Sequence, residues 1–226
     1  MHFHLPKPLH GWREFAGEVG IIVVGVLIAL GAEQSLENRN WHEKTRESEL
    51  ELRAELLDSA ANADERIRFN TCFVGKLDDI QSRLLSENQQ IAPPPYRSRY
   101  WTIVRLWSTD AWDTARAGDV LTHMPSEKVR TYAALYRQVA VIRDNLGLEQ
   151  QYISDLSILP SFEGRMSEVT RDRLLAAVTR ARRANEMIIR DSKQVLAETS
   201  NMGIKLDRAS RTPLHECGSL YQPMIF

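Results

Sequence analysis

Few residues in this chain have the types and spacing that chemistry needs. Six histidines stand at positions 2, 4, 10, 42, 123 and 215, and only His2 and His4 are close enough to share a metal ion. His42-Glu43 begins like a zinc-protease helix, but Arg46 occupies the position where the second histidine must fall, which excludes that motif. Glu14 and Glu18 form a carboxylate pair four residues apart beside an apolar run. Such acids relay protons, pair with a partner subunit or simply reach for water. The two cysteines, Cys72 and Cys217, form one disulfide in an oxidising compartment or remain two independent thiols. Trp101, Trp107 and Trp112 cluster tightly enough to line a ligand pocket or to fill a core. There is no Gly-rich phosphate loop, nucleophile elbow or Cys-x-x-Cys pair. The sequence therefore offers no catalytic, cofactor or metal site, and the expectation is a protein that is not an enzyme.

The element that would set the location of everything else is EVGIIVVGVLIALGAEQ, Glu18 to Gln34. From Val19 to Ala32 no residue is charged, a helical length of about 21 Å. Starting from Phe15 gives about 27 Å, close to the hydrocarbon thickness of a bilayer. Trp12 and Arg13 then mark the interface, where an indole suits both phases. Between Val19 and Leu30 no polar face is visible, unlike the surface helix of a soluble domain. Two alternatives compete with an uncleaved anchor: a buried core helix, and an export signal cut near Ala29-Leu30-Gly31. Glu14 and Glu18 argue against the signal, because acids between the basic start and the apolar core are atypical there. The expected anchor spans 14–34; its markers are Trp12 and Arg13 at the interface just before it, and Glu18, Gly20, Val24, Gly25, Ile28 and Ala29 within it. Ala16/Gly20 and Gly25/Ala29 have the small-xxx-small spacing that lets helices approach closely.

Lys7 and Arg13 precede the span, whereas acids from Glu33 to Glu37 open its other flank. The positive-inside rule then predicts a cytoplasmic N-terminus over 1–13 and a domain over 35–203 on the far side, periplasmic in a bacterial inner membrane. The segment Gly17 to Gln34, GEVGIIVVGVLIALGAEQ, followed by Trp41, resembles the N-terminal signature of a family of uncharacterised bacterial single-pass membrane proteins. That signature is a Gly-Glu pair, an aliphatic run, Gly-hydrophobic-Leu-Ile-Ala-Leu and a polar helix with a Trp. The match covers about residues 12 to 41 and departs from the pattern at Glu33 and Ser35, where relatives often carry amides. The resemblance implies an anchor and an extracytoplasmic helical domain, and carries over no catalytic residues.

Beyond the anchor the pattern predicts an all-α, antiparallel helical bundle with long helices. Ser35 to Asn88 contains one glycine and no proline. Leu52, Leu56, Ala60, Ala63, Ile67, Thr71, Val74, Leu77, Gln81 and Leu84 keep helical spacing, widened by Leu57, Phe73 and Ile80. This helix is expected to join a bundle, or an oligomeric coiled coil near the membrane. Pro93-Pro94-Pro95 ends it. Ile103, Leu106, Trp107 and Ala111 predict a helical face ending at Gly118-Asp119, with a cap or kink at Ser108-Thr109-Asp110. Helices follow from Pro125-Ser126 to about Ser157 and after Ser167, and the tail at 204–226 reads as irregular.

Ten acids against six bases over 33–68, and eight bases against four acids over 165–193, predict that those two helices pack side by side. With 226 residues, a formal net charge of -1 and no basic stripe with interleaved aromatics, nucleic acid is excluded as a partner. The expected partners are the lipid bilayer and a second copy or another membrane protein. Two functions fit: a non-enzymatic scaffold or accessory subunit of an envelope complex, or a ligand-sensing periplasmic domain with the Trp-rich segment as pocket, signalling through a partner.

Overall fold

The computed structural model describes residues 11–86, 105–161 and 165–207. Every regular element among them is helical. The order is α1 (Trp12–Leu85), α2 (Asp110–Ala117), a 3-10 turn (Val120–His123), α3 (Ser126–Asp155), a second 3-10 turn (Leu156–Ser161) and α4 (Glu168–Asn201). The chain divides into two compact units, Met1–Glu47 and Ser48–Phe226, and α1 contributes to both.

The first unit is the N-terminal part of α1. Its apolar side chains have nothing packed over them: Ile21 is 76% exposed, Ile28 67% and Leu30 54%. Ile21 and Ile28 share one side of the helix and Leu30 faces the opposite one, while the consecutive residues Ile21, Ile22, Val23 and Val24, about 100° apart in turn, are all exposed, so the exposure runs all round it. Among the described residues this segment is not part of a buried core.

The second unit is a bundle of α1 from Ser48, α3 and α4. Lys128 at the start of α3 meets Glu49, and Glu149 near its end meets Arg66, so α3 runs in the same direction as α1. Met202 beyond α4 meets Arg53, while Arg182 earlier in α4 meets Asp78, so α4 runs against both. The expected antiparallel bundle is thus antiparallel only for α4. A parallel neighbour requires the chain to travel back along α1 between them. Residues 105–109 do this: Arg105 pairs bidentately with Glu65 at 2.7 and 2.8 Å, Asn62 donates to the Leu106 carbonyl at 2.9 Å, and Ser108 donates to Glu55. The acid-rich and base-rich helices do lie side by side, where Arg66 donates to Asn185 at 3.0 Å, but the ion pair that joins them, Arg182–Asp78 at 2.7 Å, uses an acid beyond the 33–68 stretch.

The returning segment is not the helix that its apolar spacing suggests. Leu106 is 84% exposed while Trp107 is 3% exposed, the alternation of an extended strap whose successive side chains face opposite ways. Helix begins only at Asp110, where Glu55 from α1 accepts from the Ala111 N–H at 3.2 Å and satisfies one of the open donors of α2. At the other end of the bundle sequence, α4 stops at Gly203, which adopts φ +74. The Ile204 N–H bonds to the Thr199 carbonyl at 2.9 Å, and buried Ile204 plugs the core.

Candidate functional site

Burial along the three long helices falls at alternating steps of three and four. On α3 the stripe is Tyr132, Leu135, Val139, Ile142, Leu146, Glu149 and Ile153, widened by buried Tyr136 and Asn145. On α1 it includes Leu52, Leu56, Ser59, Ala63, Arg66, Phe73, Leu77, Ile80 and Leu84, and on α4 Val178, Ala181, Asn185, Ile188, Ser192, Val195 and Thr199. Arg66, Glu149 and Asn185 therefore occupy core positions with polar side chains. They meet one another. Arg66 is 3% exposed and donates to the fully buried Glu149 carboxylate; its Nη2 also donates to Asn185 Oδ1 at 3.0 Å. Asn185 Nδ2 in turn donates to Asn70 Oδ1 at 2.7 Å. The guanidinium lies over the Phe73 ring at 4.9 Å.

This layer divides the bundle interior in two. One apolar cluster gathers Leu52, Leu56, Trp107, Tyr132, Tyr136, Ile142 and Val195; the other gathers Phe69, Phe73, Ile80, Leu156, Leu174 and Val178. Burial pulls the Arg66 guanidinium below its ordinary value, against the opposing effect of Glu149. Lys76, on α1 in the half of the bundle beyond the layer, is pushed down to about 8 by burial. Tyr136 donates to the Leu52 carbonyl at 3.1 Å, and burial, reinforced by the Glu55 charge, raises its phenol well above the ordinary value.

The tryptophan pocket of the sequence reading divides as follows. Trp107 is core, and Trp112 packs against the same cluster and stacks on Tyr136 with ring centroids 5.4 Å apart. Trp101 lies outside the described residues. The open cavity lies elsewhere. A cleft of about 510 Å³ runs between α3 and α4, with Arg130, Arg137 and Gln138 on one wall and Gln194 and Glu198 on the other. Gln138 donates to Gln194 across it at 3.1 Å.

Cys72 is half-buried on α1 against the second apolar cluster and is not a free thiol. Cys217 lies outside the described residues, as do His2, His4, His10 and His215. Among the described residues no group of three or more His, Cys, Asp or Glu side chains is disposed to hold a metal ion.

Of the anchor residues, Trp12 is exposed beside Phe15, with ring centroids 6.4 Å apart, and Glu18, Gly20, Val24, Gly25, Ile28 and Ala29 are all exposed. Arg13 lies on the first turn of α1. The two small-residue pairs do not form one seam: Ala16/Gly20 and Gly25/Ala29 sit roughly 180° apart on a helix of about 100° per residue. A single partner helix meets only one of them. The helix is long and apolar enough to cross a membrane.

The reading of the sequence missed Arg66, Glu149 and Asn185. Their signal was available as a polar residue interrupting an apolar three-four pattern on each of three helices. No family model, curated protein or solved structure matches the chain.

Proposed function

We propose that this chain is a membrane-anchored, non-enzymatic helical interaction protein, a scaffold or accessory subunit of a bacterial envelope complex. In this reading α1 crosses the inner membrane once, the N-terminus is cytoplasmic, and the bundle stands in the periplasm. The observation that carries it is the apolar stretch of α1 exposed on every side. Burying such a surface in lipid gains about 25 cal/mol per Å² of apolar area, whereas leaving it in water forfeits all of it. The acids Glu33 and Glu37 after the span and the bases Lys7 and Arg13 before it support the orientation. A partner, either a second copy or another membrane protein, would meet the anchor through one small-residue pair.

Crosslinking in native membranes tests the interaction. A discrete crosslinked species that survives dilution of the membrane supports it, and a strictly monomeric protein with no neighbour counts against it. Reporter fusions at residue 207 test the orientation: periplasmic phosphatase activity is expected, and cytoplasmic fluorescence there reverses the topology. An oxidising periplasm also favours a bond between Cys72 and Cys217. Cys217→Ser is expected to change mobility on a non-reducing gel, and identical mobility with and without reductant removes that bond.

A further inference from the structure

The bases on this bundle are mostly matched. Lys128 meets Glu49, Arg105 meets Glu65, Arg173 meets Asp155 and Arg182 meets Asp78. Others are not, Arg143, Arg171, Arg180 and Arg183 among them, and what sets Arg130 and Arg137 apart is that both line one cleft. They stand seven residues apart on one face of α3, two turns along the same line, and among the described residues neither has an ion pair or side-chain hydrogen bond. Across the cleft Glu198 on α4 is equally unmatched, one turn beyond Gln194. Opposite charges therefore face each other over an opening that their own side chains do not close. Empty, the cleft leaves these exposed charges solvated singly, and a ligand of matching charge would replace that water. The exposed Gln138–Gln194 bond at 3.1 Å links the two walls and adds neutral donors and acceptors to the cleft. A volume of about 510 Å³ is in the range of small-molecule sites, which run from roughly 300 to 1,000 Å³.

The charges define the ligand. Two guanidinium groups on one wall call for two anionic groups, and guanidinium is suited to carboxylate through its planar fork of donors. One carboxylate on the other wall repels a simple dianion and calls for an ammonium. We infer that the α3–α4 cleft binds a small molecule carrying two carboxylates and one primary amine, an acidic amino acid or a short acidic peptide. Its carboxylates face Arg130 and Arg137, its ammonium faces Glu198, and Thr131 and the glutamine pair are within the same cleft to meet its remaining polar groups. This site belongs to the second unit alone and stands whether or not the chain spans a membrane.

Calorimetric titration of the full chain in detergent tests it with four probes: L-glutamate, an alanyl-glutamate dipeptide, glutarate, which lacks the amine, and 4-aminobutyrate, which lacks one carboxylate. Saturable binding of glutamate or the dipeptide is expected, and the tighter of the two identifies a free amino acid or a peptide as the ligand. Glutarate and 4-aminobutyrate are each expected to bind about tenfold more weakly, a difference of about 1.4 kcal/mol. Arg130→Gln and Arg137→Gln should each weaken glutamate by a similar factor. Glu198→Gln should remove the preference for glutamate over glutarate while leaving glutarate bound. All three side chains are exposed, so thermal melts of the variants are expected to match the parent. Absence of heat with all four probes, equal affinity for glutamate and glutarate in the parent, or unchanged affinity in a well-folded Arg130→Gln/Arg137→Gln double variant each overturns the assignment.

Discussion

Removing the Glu149 carboxylate would leave the Arg66 charge in a nearly dry site without the carboxylate that balances it. A buried pair broken on one side costs about 3 to 5 kcal/mol, because the surviving charge stays desolvated without compensation. Glu149→Gln is therefore expected to lower the unfolding free energy measured in urea by that order, while Arg66→Met with Glu149→Leu together recovers most of the loss. If the single variant melted like the parent, the layer would have to be solvated. Lys76 gives a second test at this scale. Between about 8 and its ordinary value of 10.5, the unfolded chain holds a proton that the folded protein has shed. Stability consequently rises with pH through that window. Tyr132 and Tyr136 have the opposite sign: burial raises both phenols, so above pH about 10 the unfolded chain loses protons that the folded one keeps, and stability falls. Chemical denaturation across this range should trace a rise and then a decline. Lys76→Met is expected to flatten the rise alone; a rise that persists in that variant assigns it to another group.

The ends of the elements depend on particular residues in the same way. Gly203 sits at φ +74 after the last turn of α4, and the Arg53 guanidinium donates to the neighbouring Met202 carbonyl at 3.2 Å. A Cβ at this position is strained by the left-handed backbone rather than by crowding, since the nearest atom is 3.9 Å away. Gly203→Ala should destabilise by about 1 kcal/mol and speed amide exchange at Ile204, whose N–H closes the turn; unchanged exchange would mean the cap forms without a glycine. Much of this architecture was legible. Ser167 accepts from the Thr170 N–H at 3.2 Å as the expected N-cap, Gly118 closes α2, and α3 begins at Ser126 after Pro125. The α1 stripe was followed correctly from Leu52 to Ala63 and then drifted onto Ile67, Thr71 and Val74. The next core position is Arg66, and a reading of apolar residues steps over a charge. Only its partner on α3, more than eighty residues away, makes it a core residue. The strap at 105–109 was misread for a related reason. Its spacing fits a helix, but Glu65, Asn62 and Glu55 of α1 take up its polar groups and hold it extended, which is a tertiary effect that local periodicity cannot register.

At the scale of the whole molecule the two units place opposite demands on solvent. The bundle hides its apolar residues from water, and the first unit displays its own. In the proposed reading the N-terminal part of α1 decides location in the cell. A lysine at the centre of a spanning helix costs about 2.5 to 3.5 kcal/mol on an insertion scale, while each aliphatic residue contributes only about 0.3 to 0.6 kcal/mol. Val23→Lys with Leu27→Lys places two such charges one turn apart near the middle of the run. Their combined cost, about 5 to 7 kcal/mol by that scale, exceeds what the remaining aliphatic residues between Val19 and Leu30 supply. The parent should stay with the membrane in alkaline carbonate, and the double variant should appear in the soluble fraction or be degraded. Its bundle, which contains neither position, should retain the parent's melting behaviour where soluble protein is recovered. Release of the parent by carbonate, or a mature chain that starts after Gly31, would instead make this segment an export signal and leave the bundle free of the membrane.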